Sequence, residues 1–242
     1  MRTAIPENNV SKDYNSLINT FISQICKSEK DNLVSIFLTG SFARGEAANG
    51  SDLDIWCIFN ELHDETLQRV GLASRKLPIS YDELEINAQC LTLNEFNSQY
   101  FSKFLAYPII FAEGVLLYGK DMAARAVQKA EIEKTYKEFL TEILLSIRHY
   151  IAVNEPAEKL TFAKIKAWVL KPLMFALRLE RYAATTHYPL TMAELIAAYP
   201  TPPVSIVYFT NGGKWNEDVQ SRRDHVLRTL HNEVASLLTA RV

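Results

Sequence analysis

Two aspartates, Asp52 and Asp54, stand one residue apart at the start of an apolar run, Leu53 to Phe59. In a β-strand, side chains two positions apart lie on one face, about 7 Å apart along the chain, so both carboxylates project together while Leu53 and Ile55 point into the core. Two carboxylates that face one spot repel each other unless a cation joins them. Magnesium is the natural cation, because it takes oxygen ligands and keeps positions open for water and phosphate. The pair therefore predicts a divalent-metal site, although an isolated Asp-x-Asp also occurs by chance.

A Gly-Ser pair, Gly40 and Ser41, lies upstream at the end of a second apolar run, Leu33 to Thr39. With Ala43 and Arg44 it predicts a short helix whose free backbone N–H groups can hold phosphate oxygens. Gly40 permits close approach because it has no side chain, and Ser41 adds a hydroxyl. A phosphate cradle and a metal pair are thus predicted to face each other across one hairpin-like connection. Taken separately, a Gly-Ser pair is more often a plain helix cap, and Arg44 a solvated residue or salt-bridge partner.

Hydrophobic periodicity predicts the elements that position these residues. Apolar residues spaced by three and four predict a helix within 10–29, and short apolar, β-branched and aromatic runs predict strands at 33–39 and 53–59. Three further elements are predicted before residue 121: a polar helix around 64–76, a period-two strand within 81–92 and a short strand within 114–121. The first half of the chain is therefore predicted to be a small α/β domain.

The second half of the chain is almost entirely helical in pattern. Apolar stripes run from Phe139 to Ile151 and from Leu160 to Tyr182, the latter interrupted by Pro172, which should kink or restart the helix. A capping-box spacing starts another helix at Thr191, and the Pro-rich segment 199–215 is predicted to be an irregular connection before a final helix.

The predicted fold class is α/β, or more strictly α+β, in two domains. Residues 1–120 form a domain on a small mixed sheet, and residues 121–242 form a C-terminal helical bundle. The first part carries 10 basic and 15 acidic residues, for a net charge of −5, and the second 16 basic and 13 acidic residues, for +3. The acidity therefore lies in the part that contains the aspartates.

Composition excludes several classes of protein. A formal net charge of −2 over 242 residues lacks the basic footprint that nucleic-acid binding needs, so no nucleic-acid partner is expected. No apolar run resembles a secretory signal or reaches the roughly 20 residues of a membrane span, so we expect no membrane partner and a cytoplasmic location. The three cysteines, Cys26, Cys57 and Cys90, are odd in number and widely spaced, which favours buried thiols over a disulfide framework or a zinc site.

The Gly-Ser pair, the spacer and the two aspartates follow one another without interruption, and in this order they resemble a known signature. The segment GSFARGEAANGSDLDIW, residues 40–56, resembles the signature of the DNA polymerase β-like nucleotidyltransferase superfamily, which reads Gly-Ser, a spacer and Asp-x-Asp. The resemblance implies a nucleotidyltransferase fold for the first domain, and Asp52 and Asp54 as catalytic residues that bind magnesium, with two ions expected. It also implies a nucleotide-binding set: Gly40, Ser41, Arg44 and Ser51.

A third acidic residue is expected on a later strand. The segment ELEINA, residues 83–88, is similar to the Leu-Glu-Val segment of the streptomycin/spectinomycin-type aminoglycoside adenylyltransferases. This similarity implies that Glu85 is the third catalytic acid and a metal ligand. Asp82 and Glu83 remain as alternatives, and Glu83 is expected on the same strand face as Glu85.

A weaker resemblance to the same adenylyltransferases continues in the second half. The segment LRLERYAATTHYPLTMAELIAAY, residues 177–199, resembles their helix-loop-helix, which has Arg, then Tyr, a polar turn and Ser-Lys-x-Glu-Ala. Met192 stands where the family has lysine, a residue that helps to bind ATP phosphate. Lys171 or Arg178 would have to supply that charge, or the nucleotide would bind in a different pose.

The resemblance implies transfer of AMP from ATP to a hydroxyl of an aminoglycoside-like small molecule by a monomer or dimer, with release of pyrophosphate. Four residues are candidate acceptor contacts, although each also suits ordinary helix packing or surface: Trp168, Glu180, Tyr182 and His187. Because aminoglycosides are polycations, the net charge of +3 in the helical half argues against such an acceptor unless local carboxylates oppose it.

Two alternatives remain open. The GSFARGEA segment is also similar to minimal nucleotidyltransferase antitoxins, which adenylylate a helical toxin, and Arg181 and His187 resemble the Arg and His of such toxins. Six residues apart on a helix, these two side chains would not share a face. A catalytically inactive nucleotide-binding module is the other alternative, although the presence of the expected acids argues against it.

Overall fold

The computed structural model describes residues 2–10, 13–75, 85–98, 112–122, 129–153, 160–211 and 219–239. The chain divides into two compact units, Met1–Val127 and Gln128–Val242. None of the described helices is both long enough and apolar enough to cross a membrane.

The first unit contains a four-stranded mixed sheet, as predicted. Its strands are β1 (Leu33–Thr39), β2 (Leu53–Phe59), β3 (Ile86–Thr92) and β4 (Val115–Gly119). The spatial order is β3-β2-β1-β4. β1 pairs antiparallel with both β2 and β4, whereas β2 and β3 run parallel. The predicted bounds of β1 and β2 are confirmed. Residues 81–84 of the segment predicted as a period-two strand lie outside the described residues, and the rest of that segment contains β3.

Among its described residues, this unit has the helices α1 (Tyr14–Glu29), α2 (Gly40–Arg44), α3 (Asp64–Arg75) and α4 (Leu93–Asn97). α1 starts at Asp13, whose carboxylate accepts a hydrogen bond from the Ser16 N–H, and its apolar face is buried. α2 follows β1 without a break, so the Gly-Ser pair lies at a strand-to-helix turn.

Alternation along β2 assigns its side chains to opposite faces of the sheet. Leu53 and Ile55 are fully buried in the main core of the unit, as predicted. Ile58 lies on the other face, in a smaller core with Phe37 and Phe96. Asp52 and Asp54 share the face of Ile58 but precede its apolar part, so two charges open an otherwise apolar strand.

The second unit is helical, as predicted. Its elements are α5 (Lys129–Val153), α6 (Phe162–Ile165), a π-helical turn (Lys166–Leu170), α7 (Lys171–Thr185), α8 (Met192–Ala197), α9 (Val204–Asn211) and α10 (Val219–Thr239). α5 packs against α7 and α10. Pro172 lies in the first turn of α7, directly after the π-helical turn, so the helical run changes its hydrogen-bonding pattern beside the proline. Thr191 caps α8 by accepting from the Glu194 N–H at 3.2 Å.

The irregular connection predicted at 199–215 is wrong in part, because α9 occupies Val204–Asn211. Pro202 and Pro203 immediately precede this helix. Proline is compatible with a helix start, where the first N–H groups have no intrahelical partner. The prolines that suggested a loop therefore mark where a helix begins.

Candidate active site

The structure brings Asp54 of β2 against Gly40 at the end of β1. Thr39 and Asp54 are register partners in the β1–β2 ladder, so the residue after Thr39 lies beside the Asp54 side chain. A Cβ added to Gly40 would lie 2.3 Å from Asp54 Oδ2, and Gly40 has a φ of +71°. Both the close approach and the left-handed backbone require glycine. Asp52, just before β2, is exposed, whereas Asp54 is half-buried.

The N–H of Gly40 already has a partner. It donates to Oε1 of Glu113 at 2.9 Å, and the Glu113 side chain is buried. The Gly40 N–H is therefore occupied in this structure, and a contact of this turn with phosphate stays a prediction. Within the described part of the chain, the Ser41 hydroxyl forms no hydrogen bond. Ser41 is thus the residue of the pair whose side chain is open to a phosphate.

Arg44 is held by two carboxylates. Its Nη1 donates to both oxygens of Glu113, at 3.0 and 2.9 Å, and its Nε donates to Glu46 at 2.9 Å. Burial lowers the pKa of Arg44, but Glu113 and Glu46 outweigh burial and raise it overall. The salt-bridge alternative for Arg44 is thus what the structure shows, and a direct contact with nucleotide stays a prediction.

Glu113 is the residue that the sequence analysis missed. It lies 73 residues from Gly40 and just before β4, with no local motif to mark it. The one available signal is its position immediately before a short apolar strand, which does not distinguish it from an ordinary exposed residue.

The Asp54 carboxyl has an elevated pKa. Burial raises it, and the nearby charges of Asp52 and Glu113 add to that effect. Asn87 opposes the rise by donating from Nδ2 to Asp54 Oδ1 at 3.0 Å, and the charge of Arg44 opposes it as well. Burial and the neighbouring acids both disfavour an unpaired charge on Asp54, and a bound cation would favour its ionised form.

Ser51 closes the turn that precedes the aspartates. Its hydroxyl accepts from the Ala48 N–H at 3.1 Å, and its own N–H donates to the Ala48 carbonyl at 3.0 Å. These two bonds fix the approach of the chain to Asp52. A contact of Ser51 with nucleotide stays a prediction.

Glu85 is exposed and lies one residue before β3. Its carbonyl accepts from the Leu53 N–H at 2.8 Å, and alternation gives it the same sheet face as Asn87, the register partner of Asp54. No group of three or more His, Cys, Asp or Glu side chains among the described residues is arranged to hold a metal ion. The role of Glu85 as third ligand therefore stays a prediction, and its alternatives Asp82 and Glu83 lie outside the described residues.

The donor set at β2 fits magnesium that is held jointly with a nucleotide. One or two protein carboxylates, with phosphate oxygens and water completing the octahedron, is the usual way in which proteins bind this ion. Asp52 and Asp54 would supply two carboxylates, and an ionised Asp54 would be favoured by a cation beside it. A closed site made only of protein ligands does not match this arrangement.

The candidate acceptor residues of the helical unit have different surroundings. Trp168, in the π-helical turn, is 52% exposed, and the Lys164 ammonium lies 5.6 Å from its ring centroid. His187 is also exposed and lies 4.0 Å from Glu194. Tyr182 packs edge-on against Tyr188, with ring centroids 6.3 Å apart. Of these, Trp168 and His187 present open surface.

Glu180 is committed to a local network. It accepts from Arg181 and, at 2.8 Å, from the Tyr199 hydroxyl. Arg181 also lies over the Tyr199 ring at 4.8 Å, so Arg181 and His187 have different partners. The structure therefore does not join these two residues into one site.

Two cations were considered as substitutes for the absent family lysine. Arg178 is 4% exposed, and its Nε donates to the Pro189 carbonyl at 3.1 Å. Lys171, at the start of α7, is exposed. Lys171 is therefore the one of the two that is open to a ligand.

Comparison with known proteins gives a family and a fold. The profile of the nucleotidyltransferase domain matches residues 19–167, which is more than half of the chain. Among solved structures, the chain is similar to the spectinomycin adenyltransferase AAD(9) from Enterococcus faecialis, crystallised with ATP and spectinomycin. The identity is 14% and the TM-score 0.57, with 93% of this chain and 100% of that chain covered. At this identity the likeness shows the fold alone.

A second solved structure, a toxin-antitoxin with AMP-PNP, has 17% identity and a TM-score of 0.29, covering 57% of this chain and 95% of that chain. A score this low carries no argument. No curated protein sequence matches the chain. The matched profile spans the Gly-Ser turn, both aspartates and β3, which is the region where the structure places Gly40 against Asp54. The chain therefore belongs to the nucleotidyltransferase domain family.

Proposed function

We propose that this nucleotidyltransferase moves AMP from ATP to a hydroxyl of a small molecule in a magnesium-dependent reaction. The observation that carries the proposal is the contact between the Asp54 carboxylate and Gly40, because it joins a metal ligand to the phosphate-binding turn. ATP as donor and an aminoglycoside-like acceptor are supported by the solved structure of similar fold, which holds ATP and spectinomycin.

The residues of the first unit would have separate roles in metal binding, triphosphate binding and proton transfer. Asp52 and Asp54 would hold the metal, and Gly40 and Ser41 would contact the triphosphate. Magnesium held by Asp52 and Asp54 would stabilise the negative charge that develops as pyrophosphate leaves. The acceptor oxygen forms a bond to the α-phosphorus as the bond from that phosphorus to the pyrophosphate oxygen breaks. Glu85, exposed on the same sheet face, would take the proton from the acceptor hydroxyl.

The helical unit would supply acceptor contacts from its open residues. Trp168 offers an exposed ring, and His187 an exposed imidazole. Lys171 is the cation proposed to contact nucleotide phosphate. If Trp168 contacts the acceptor, Trp168→Ala should raise KM for the acceptor more than KM for ATP. A change in KM for ATP alone would remove Trp168 from the acceptor site.

The test is a transfer assay with ATP labelled in the adenine moiety. Purified protein is incubated with magnesium, the labelled ATP and either an aminoglycoside panel that includes spectinomycin and streptomycin, or a cell extract. Asp52→Asn and Asp54→Asn serve as inactive variants, and Glu61→Gln, an exposed acid of the same unit, is the matched control.

Four outcomes are distinguishable in this assay. Label on a drug that requires both aspartates supports the proposal. Label on a protein of the extract would instead favour the antitoxin-like activity. Binding of Mg-ATP without any transfer would favour an inactive nucleotide-binding module. Transfer that persists in Asp54→Asn would overturn the assignment of the site.

A further inference from the structure

Glu113 connects both ends of the short helix that carries the Gly-Ser turn. Its Oε1 accepts from the Gly40 N–H at the start of α2, and both of its oxygens accept from Arg44 at the end of α2. We propose that Glu113 is a positioning residue for the nucleotide-binding turn, and that Arg44 acts through Glu113 rather than by touching the nucleotide. This inference rests on the proposed function.

α2 needs an external anchor because it is short. With five residues it has about one turn, and a helix of that length is not stable by its own hydrogen bonds. Its N-cap, Thr39, makes no side-chain hydrogen bond to the helix. Glu113 therefore accepts a hydrogen bond from a free N–H group at the helix start, as a capping side chain normally does.

A second anchor comes from Arg2. Its Nη1 donates to the Ala43 carbonyl at 2.8 Å, and its Nη2 donates to the Glu113 carbonyl. Arg2 thus links the backbone of α2 to the backbone of the same residue whose side chain holds Gly40. Side chain and main chain of Glu113 both determine where the turn lies.

The positive charge of Arg44 is paired with carboxylates of the protein itself. The Glu113 and Arg44 side chains are 4% and 18% exposed, and they lie 2.9 Å apart. An unpaired carboxylate beside Gly40 would repel a triphosphate, and Arg44 cancels that charge. Two nitrogens of the Arg44 guanidinium are therefore engaged within the protein: Nη1 donates to Glu113, and Nε donates to Glu46.

A purely structural ion pair would behave differently from a positioning pair. Removing one partner of a buried pair lowers stability because the other charge is left unpaired. Loss of folded protein lowers the active concentration, and with it the apparent kcat, but leaves the affinity of the remaining molecules for nucleotide unchanged. Displacement of the Gly-Ser turn weakens nucleotide binding in the folded molecules themselves.

A double-mutant cycle separates these roles. The dissociation constant for Mg-ATP is measured by calorimetry for the wild-type protein, Glu113→Gln, Arg44→Gln and the double variant, below the lowest melting temperature of the set. We expect each single variant to bind about tenfold more weakly, the size of one lost charge-assisted hydrogen bond. In the Glu113→Gln background, Arg44→Gln should cost less than about twofold, because the two changes remove one shared interaction.

Glu46→Gln is the matched control. Glu46 is the other carboxylate bound to Arg44, is partly exposed and does not contact Gly40, so its loss should change Mg-ATP affinity by less than about twofold. The amide proton of Gly40 gives a readout that needs no nucleotide. Its NMR resonance should lie downfield in the wild-type protein and in Glu46→Gln, and should move upfield in Glu113→Gln.

Equal losses for Arg44→Gln in both backgrounds would show that Arg44 contacts the nucleotide directly and would overturn the inference. Wild-type affinity in Glu113→Gln would overturn it as well. If a single variant fails to fold, the double variant, which leaves neither Arg44 nor Glu113 as an unpaired buried charge, carries the test, and wild-type affinity there is again contradictory. A wild-type protein that binds no Mg-ATP would refute the proposed function itself, and the positioning role with it.

Discussion

Two acidic side chains of the first unit, Glu29 and Asp54, have pKa values shifted in opposite directions. Burial raises the pKa of Glu29, but hydrogen bonds from Asn32, Arg69 and Thr66, with the charge of Arg69, outweigh burial and lower it. Burial raises the pKa of Asp54, and there the neighbouring acids Asp52 and Glu113 add to the rise.

The difference lies in how completely the protein satisfies each carboxylate. Glu29, 4% exposed, accepts from three side chains: Asn32 of the loop that follows α1, and Thr66 and Arg69 of α3. Among the described residues, the Asp54 carboxylate accepts from the side chain of Asn87, and the charges of Asp52 and Glu113 lie near it. This difference agrees with the proposed cation site at Asp54, because a carboxylate with few hydrogen-bond donors can bind a cation. Substitutions at the two positions should therefore separate stability from activity.

The largest effect should come from the metal pair. Asp52→Asn and Asp54→Asn are each expected to lower kcat/KM for adenylyl transfer by about a hundredfold to ten-thousandfold, since a metal supplies several kcal/mol of transition-state stabilisation. Glu29→Gln should retain wild-type kcat/KM per folded molecule. Steady-state kinetics with the acceptor found in the transfer assay measure both, and an equal loss in Glu29→Gln would break the distinction.

The next effect concerns the contact between the turn and the metal ligand. Gly40→Ala places a Cβ 2.3 Å from Asp54 Oδ2 and should lower kcat/KM by about tenfold to a hundredfold, the range of one misplaced catalytic group. Gly50→Ala is the control, because Gly50 also has a positive φ, +85°, but no atom lies within 4 Å of its added Cβ. Both variants pay about 1–2 kcal/mol of backbone strain, so only the kinetic difference between them tests the contact.

A smaller effect is expected on stability at Glu29. Glu29→Gln should lower the free energy of unfolding by about 2 kcal/mol, because hydrogen bonds to a charged, buried acceptor are lost. Chemical denaturation measures this change, with exposed Glu61→Gln as the control. A destabilisation no larger than that of the control would mean that the hydrogen bonds to the Glu29 carboxylate do not stabilise the fold.

The smallest effect is a pH dependence of opposite sign at the two sites. The lowered pKa of Glu29 gives stability that is present above its ordinary pKa of 4.5 and is lost as the pH falls through the lowered value. The raised pKa of Asp54 gives stability that is present below its ordinary pKa of 3.8 and is lost as the pH rises through the raised value. At pH 7 without metal, Asp54→Asn should therefore match or exceed the wild-type protein in stability, by about 1 kcal/mol or less.

Magnesium sharpens this last prediction. Magnesium added together with ATP should raise the melting temperature of the wild-type protein, since a ligand that binds the folded state stabilises it, and EDTA should reverse the shift. Asp54→Asn should show neither response. Thermal scans with and without magnesium contradict the comparison if both proteins shift equally.

The part of the site that the sequence predicts is the part made by neighbouring residues. Strands at 33–39 and 53–59 follow from local apolar runs, and the shared face of Asp52 and Asp54 follows from strand alternation. Because a short connection joins the two strands, antiparallel pairing places Gly40 near Asp54. Local pattern and pairing rules are sufficient for this much.

The rest depends on contacts between residues that are distant in the chain. Glu113 reaches Gly40 across 73 positions, and only the placement of β4 beside β1 brings it there. For the same reason the occupation of Arg44 was not predictable, although a salt bridge was among its alternatives. In the helical unit, Glu180 reads as a free acid in the sequence, yet Tyr199, 19 positions away, and Arg181 both bind it. Helical periodicity predicts the helices but not which polar groups their packing pairs.

The hydrogen bonds of Arg2 have a practical consequence for protein production. The Arg2 carbonyl accepts from the Leu116 N–H at 2.8 Å, and the residue forms a bridge with Val115, so it is seated at the edge of the sheet. An affinity tag fused next to Arg2, or the residues that remain there after the tag is cleaved, can displace Arg2 and break these hydrogen bonds. Preparations for kinetic work should therefore have no foreign residues next to Arg2, and the activity of each batch should be compared with that of an untagged reference.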